Sequence, residues 1–375
     1  MHAIDELAQF AADLPRGTLT GEAREACAGL VFDLMAAVVG GVNTQLAIAA
    51  RDCARAIYGP GEAHIWLADE SLSVAGAAMA NASAASALDI DDGHRGAAGH
   101  PGAGIIPAVF AVAQTLDSPD DDIFDAIAVG YEIGIRVAAA RPVPTIETYM
   151  SGRWVNYGVA AAVGRLLQLG PPEMAHALGI AGAEGPIGFP SGSSKYQGSS
   201  VKEQIPAAVV VGLTAAYRAK AGATGPRDLL DSEEKYMRSV LTGDLGDRWQ
   251  LQDCYLKPYA CCRYMHAPID AILALRRPGA PIKSLRVETF PRGLKLANER
   301  APATLEGAQY SYYFGCALAA VHGSPALQPM DPAVLNDPEV LALAARIELV
   351  GHDDFAPAFP QRTPCRVIMD QGDGP

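Results

Sequence analysis

The chain has 375 residues, half of them hydrophobic but only 7% aromatic, and its formal charge is −13. That length is enough for two domains with sizeable cores, and an apolar fraction dominated by alanine and glycine suits closely packed helices. The acidic balance excludes nucleic acid or an anionic membrane surface as the main partner, so any anionic substrate needs a local basic pocket.

In chain order, residues 1 to about 245 have a helical pattern. Glu22 to Val39 has the period of an amphipathic helix and ends at Gly40–Gly41. Ser71 to Leu88 reads as a helix of small residues. Ile106–Pro107 opens the next, with proline in the first turn, where its missing N–H is harmless. Helices follow at Asp121 to Ala140, Tyr157 to Leu169, Glu173 to Ala183 and Pro206 to Ala221. Near residue 250 the pattern changes. Pro268 to Leu275 is still helical, but Ile282 to Phe290 alternates like a strand. Leu341 to Ala345 reads as a helix running into a strand at Arg346 to Val350, and Cys365 to Met369 reads as a last strand. The expected fold is mainly α: a large all-helical domain over 1–250 and a smaller α+β lid domain over 251–375, with the junction near 245–260.

The densest chemistry lies between Ala87 and Gly104. Asp89, Asp91, Asp92, His94, Arg95 and His100 fall within twelve positions between two apolar segments. Buried unpaired charge is expensive, so such a cluster must be paired or put to use. A second cluster is Lys257–Pro–Tyr–Ala–Cys–Cys–Arg–Tyr–Met–His266, where Lys257, Arg263 and His266 form a cationic group suited to carboxylates. In a third, Tyr149, Ser151 and Arg153 precede a small-residue helix and are placed to sit at its N-terminus. The polar loop from Gly188 to Gln204 carries Lys195 and Lys202 but lacks P-loop spacing. Gln309 to Phe314 is aromatic and reads as packing.

Seven cysteines, with no C-x-x-C pair and a lone Cys261–Cys262 doublet, offer no second pair at zinc-site spacing. The start, Met–His–Ala–Ile–Asp–Glu–Leu, lacks the pattern of a signal peptide, and the apolar tracts are broken by Pro107, Gly130 or Pro206. A soluble cytoplasmic protein with reduced thiols is expected. The triad Asp89, Asp91 and Asp92 leaves open a magnesium site of the diphosphate-processing kind, although no second carboxylate motif faces it.

Taken in order, several stretches resemble the MmgE/PrpD family, which includes 2-methylcitrate dehydratases, cis-aconitate decarboxylases and an iminodisuccinate epimerase. They are Leu88–Asp–Ile–Asp–Asp92, His100–Pro–Gly–Ala–Gly–Ile–Ile–Pro107, Gly130–Tyr–Glu–Ile–Gly134, Leu166–Leu–Gln–Leu169, Lys257–Pro–Tyr259 with His266 and Ile269–Asp270, and Ala308–Gln–Tyr–Ser311. The resemblance implies a helical domain with an α+β lid, a cofactor-free and metal-free active site in the cleft between them, and a homodimer. It implies that Asp89 and His100 match family active-site positions, and that Lys202, Lys257 and His266 complete a cationic pocket for a di- or tricarboxylate.

Abstraction of a proton α to a carboxylate needs a base of near-neutral pKa and positive groups to hold the developing enediolate. The expected catalytic residues are His100, Tyr149, Lys202 and His266, with Asp89, Asp91, Arg95, Arg153, Lys257 and Arg263 binding substrate. In dehydration, His100 or Tyr149 takes the proton and a protonated His266 assists the leaving hydroxyl.

The chain departs from the family in three places. Tyr149–Met150 stands where decarboxylases and dehydratases carry a His–Pro pair, and Phe314 stands in place of a family tyrosine. Phe314 removes a hydroxyl, and Tyr149 fits an epimerase of an imino- or hydroxy-dicarboxylate, the alternative to a dehydratase-type lyase. The ending at Asp370–Gln–Gly–Asp–Gly–Pro375 reads as a lid without the family's final helices, which leaves a truncated, non-catalytic remnant as a further alternative.

Overall fold

A computed structural model describes residues 1–185, 199 and 201–372. They fall into two compact units, one holding Met1–Ala87, 91–185 and Val201–Leu256, the other Leu88–Ile90 and 257–372.

The first unit is built from α1 (Ala3–Asp13), α2 (Gly21–Gly41), α3 (Gln45–Tyr58), α4 (Val74–Ser86), α5 (Gly102–Leu116), α6 (Asp120–Ala139), α7 (Val155–Leu166), α8 (Pro171–Glu184), α9 (Ile205–Lys220) and the short α10 (Arg238–Thr242). Two antiparallel ribbons join them: β1 (Pro60–His64) with β2 (Ser71–Leu72), and β3 (Gly93–His94) with β4 (Cys254–Tyr255). The unit is therefore mainly helical rather than all-helical. The helix expected from Ser71 starts instead at Val74, because Ser71–Leu72 pairs with β1 and the Ser73 hydroxyl accepts the Gly76 N–H as a cap.

The middle and end of α4 are almost wholly buried, and its small side chains let neighbours approach closely. A Cβ on Gly41 of α2 would lie 2.1 Å from the Ala84 carbonyl oxygen. The hydroxyls of Ser83 and Ser86 donate to the Met79 and Ala82 carbonyls, each at 2.8 Å, so burial leaves neither unsatisfied. Between α6 and α7 the same device recurs: a Cβ on Gly158 would meet the Gly130 carbonyl oxygen at 2.6 Å. Glu132 and Arg136, one turn apart on α6, pair in the core; Arg136 donates to the Val240 carbonyl and Glu132 accepts the Gln250 N–H. That pair ties α6 to the segments around α10.

Pro107 is not in the first turn of its helix. The helix opens at Gly102, whose N–H donates to Asp92 Oδ1 at 3.0 Å, and Pro107 lies inside it. A carboxylate supplied from outside the helix caps it earlier than local sequence signals indicate, at the end where its charge is favoured.

In the second unit a three-stranded sheet has the order β6 (Glu348–Gly351), β5 (Ser284–Thr289), β7 (Cys365–Asp370). The central β5 is parallel to β6, with Val287 opposite Leu349, and antiparallel to β7, with Val287 opposite Val367. Leu285 and Val287 join Ile269 and Ile272 of α11 (His266–Leu275) and Leu318 of α13 (Tyr312–His322) in one core. The short α12 (Leu305–Gln309) and α14 (Pro338–Ala344) flank α13 along the chain. Tyr312 and Phe314 are fully buried, as a packing role requires, whereas Tyr310 is half-buried and turns its hydroxyl toward Asp89. Among the described residues no single helix is long and apolar enough to cross a membrane.

Candidate functional site

In the first unit the chain from Asp91 to Pro101 folds back on itself, with the His94 N–H donating to the Gly99 carbonyl at 2.9 Å. This presents His100 just ahead of α5. The Nδ1 of His100 lies 2.9 Å from the Asp92 carbonyl oxygen and 3.1 Å from Asp91 Oδ2, whose side chain is 1% exposed. A carbonyl only accepts, so Nδ1 carries a proton, and the tautomer that leaves Nε2 as the acceptor is the one this contact favours.

Asp92 supports this arrangement from behind. Its carboxylate accepts the Gly102 N–H and, at 3.1 Å, the Tyr131 hydroxyl. Burial, reinforced by the charges of Asp91 and Asp33, pushes its pKa up to about 7. Both Asp92 oxygens are thus engaged by donors of the first unit.

Two further segments of this unit meet. Ser151 lies in a single 3-10 turn, Ser151–Arg153, just before α7. Its hydroxyl accepts the His100 N–H at 2.9 Å and donates to Glu203 Oε2 at 2.6 Å, and its N–H reaches the same oxygen at 3.0 Å. Lys202, Glu203 and Gln204 have φ of +34°, +55° and +64°. Left-handed conformations cost non-glycine residues roughly 1–2 kcal/mol each, so the surroundings must hold this run in place. Lys202 is buried, at 4% exposure. Tyr149 and Arg153, both on the Ser151 segment, act electrostatically on Arg141, whose pKa is lowered chiefly by burial. Of the loop from Gly188 to Gln204, residues 188–198 and 200, Lys195 among them, lie outside the described residues. Arg95 is exposed, with its guanidinium 5.0 Å from the centre of the Tyr255 ring, and so braces the β3–β4 ribbon.

The second unit holds its own polar cluster. Lys257 Nζ is 3.0 Å from Asp89 Oδ2, and the Tyr310 hydroxyl lies 3.4 Å from Asp89 Oδ1. Asp89 takes a left-handed φ of +53°. Arg263 opens the 3-10 turn that leads into α11, and His266 is the first residue of that helix. The His266 Nε2–H donates to the Cys261 carbonyl at 3.1 Å. Burial, with the nearby Lys257 charge, pushes the His266 pKa down to about 3. The ring is thus uncharged at neutral pH. It neither adds positive charge to the cluster nor serves as the protonated acid expected from the sequence.

Each unit holds part of the twelve-residue cluster of the sequence. Asp91 and Asp92 hold His100 in the first unit, while Asp89 pairs with Lys257 in the second. Tyr149, Arg153 and Lys202 are carried by the two segments that meet at Ser151 and Glu203. Sequence reasoning missed Glu203 and the Asp92 carbonyl. For Glu203 a signal existed: Pro206 at the second position of α9 marks Lys202–Gln204 as a helix entry. A run of three left-handed residues without glycine has no such signal.

Comparison with known proteins adds the family. The chain matches the MmgE/PrpD N-terminal domain over residues 5–247 and the MmgE/PrpD C-terminal domain over 259–374. The second match leaves no support for the reading that C-terminal helices are missing. The chain is 26% identical over 298 residues to the cis-aconitate decarboxylase of Aspergillus terreus (strain NIH 2624 / FGSC A1156), which covers 72% of this chain and 60% of that protein. It is 25% identical to the cis-aconitate decarboxylase-like protein oryM of Aspergillus oryzae, over 74% of this chain and 65% of that one. It is also 25% identical to the cis-aconitate decarboxylase of Homo sapiens, over 76% and 63%. The chain thus spans less than two thirds of the length of the curated relatives it matches.

Proposed function

Because the chain belongs to the MmgE/PrpD family, we propose that it is a dehydratase-type lyase that removes a proton α to a carboxylate of a small di- or tricarboxylate, using its own side chains. The observation that carries this reading is the geometry at His100, whose Nδ1 lies 2.9 Å from the Asp92 carbonyl oxygen and 3.1 Å from Asp91 Oδ2. Nε2 is the base. It takes the α-proton, and the Asp91 carboxylate stabilises the imidazolium that forms. As the electron pair of the broken C–H bond moves toward the carboxylate, positive charge is required around the enediolate. Lys202 and Arg153, both of the first unit, are the cations assigned to it. The electrons then form the double bond as the β-hydroxyl departs, and Tyr149 supplies the proton with which it leaves as water. The names of the curated relatives, cis-aconitate decarboxylases, support a small polycarboxylate as the substrate class.

The test is proton NMR of the purified protein in D₂O with citrate, 2-methylcitrate, cis-aconitate, tartrate and iminodisuccinate. New vinyl signals from a hydroxy acid support the proposal, and His100→Asn should then lower the rate by about 10²–10⁴. Deuterium uptake at the α-carbon without vinyl signals would move the assignment to epimerisation, with Tyr149 as the second acid/base group. A cooperatively melting protein that changes none of the five would overturn the lyase reading for this substrate class.

A further inference from the structure

We propose that Glu203 is a positioning residue for His100 and acts on it through Ser151, an inference that rests on the reading of His100 as the proton acceptor. The direction of the hydrogen bonds is forced by chemistry. A carboxylate only accepts, so the Ser151 hydroxyl must donate to Glu203 Oε2, at 2.6 Å. Its lone pairs are then left to receive the His100 N–H, at 2.9 Å. The Ser151 N–H adds a second donor to the same carboxylate oxygen. Ser151 is fully buried, and its bond to Glu203 is short, at 2.6 Å.

His100 is thereby held at two points. Asp92 fixes its ring at Nδ1, and the Ser151–Glu203 clasp fixes its backbone at N–H. Without the clasp, the ring loses the anchor that keeps Nδ1 between the Asp92 carbonyl and Asp91.

A separate observation shows that the local fold is shaped to deliver this carboxylate. Lys202, Glu203 and Gln204 all adopt left-handed φ, and none of them is glycine. The residue after Ser151 is a glycine whose Cβ, if present, would lie 2.6 Å from the Glu203 carbonyl oxygen and 2.7 Å from Gln204 Cβ. Gly152 lets the strained run seat against the Ser151 turn. The left-handed run and Gly152 together set the Glu203 backbone against the Ser151 turn.

The experiment uses the whole chain labelled with ¹⁵N-histidine, with the His100 resonances assigned by their loss in His100→Asn. Wild type should show the Nδ1–H tautomer of His100. Glu203→Ala and Ser151→Ala should each shift that ring toward a mixture of tautomers while the protein still melts cooperatively. Glu203→Gln, which keeps an acceptor oxygen, should hold the wild-type tautomer. In any substrate that is turned over, Glu203→Ala should lower kcat about tenfold or more with KM little changed, and Glu203→Gln should restore most of it. An unchanged His100 tautomer in folded Glu203→Ala overturns the proposal; if that variant fails to fold, an unchanged tautomer in Ser151→Ala overturns it equally. The tautomer is read without substrate, so failure of the lyase assignment shows as absent turnover with the His100 response intact.

Discussion

Lys257 Nζ lies 3.0 Å from Asp89 Oδ2, and neither side chain is more than 4% exposed. These residues are 168 positions apart in sequence. Desolvating two charges roughly cancels what their attraction returns, but removing one partner strands the other in a medium that cannot solvate it.

Lys257→Met is therefore expected to destabilise the protein by about 3–5 kcal/mol. The double variant Lys257→Met/Asp89→Asn should recover much of that loss, since no net charge is then buried. Urea unfolding of the two variants beside wild type measures the difference. Equal losses in single and double variants would show that the stranded charge is not the cause.

Two buried groups should give stability opposite dependences on pH. The Asp92 carboxyl is raised to about 7 from its ordinary 3.8, so between those values the native state holds a proton that the unfolded chain has released. Its contribution is present at low pH and lost as pH rises through 7. His266 is lowered to about 3 from 6.5, so there the unfolded chain holds the extra proton. That contribution is present above pH 6.5 and lost as pH falls toward 3. Asp92→Asn should thus gain stability relative to wild type on going from pH 5 to pH 8. His266→Asn should make unfolding less sensitive to acid between pH 6 and pH 4. Unfolding curves at fixed pH steps test both signs.

Glycines in the helical unit divide by what surrounds them. Gly158→Ala drives a methyl to 2.6 Å from the Gly130 carbonyl oxygen, which forces α6 and α7 apart, and overpacking of this kind typically costs about 1–3 kcal/mol. Gly29, on α2, has nothing within 4 Å of where its Cβ would be. Gly29→Ala is therefore expected to raise stability, by up to about 1 kcal/mol, through helix propensity alone. Thermal melts of the two variants should move in opposite directions.

Much of the fold is legible in the sequence because long helices carry a long signal. Glu22 to Val39 is realised as Gly21–Gly41, Asp121 to Ala140 as Asp120–Ala139, and the last strand differs from its expected bounds by one residue. Ribbons with two-residue strands such as β3 and β4 offer no alternation to read. The start of α5 depends on a cap ten residues upstream, and local rules cannot see it. At the candidate site the density of charged residues is visible, but their individual partners are not. Asp89 and Asp91 are two positions apart, yet one pairs with Lys257 and the other lies beside His100. Composition likewise says nothing about the left-handed backbone at Asp89. The neutrality of His266 likewise follows from burial, which only the fold determines.

The three residues Leu88–Ile90 are counted with 257–372, although the chain on either side of them belongs to the other unit. A gene divided after codon 256 would consequently yield two incomplete products. The C-terminal product would lack Leu88 from its apolar core and would carry Lys257 without Asp89. The N-terminal product would bear an aspartate without its lysine. Complementation in trans would have to begin by returning that tripeptide to its neighbours, so the two units are best inherited, expressed and engineered as one open reading frame.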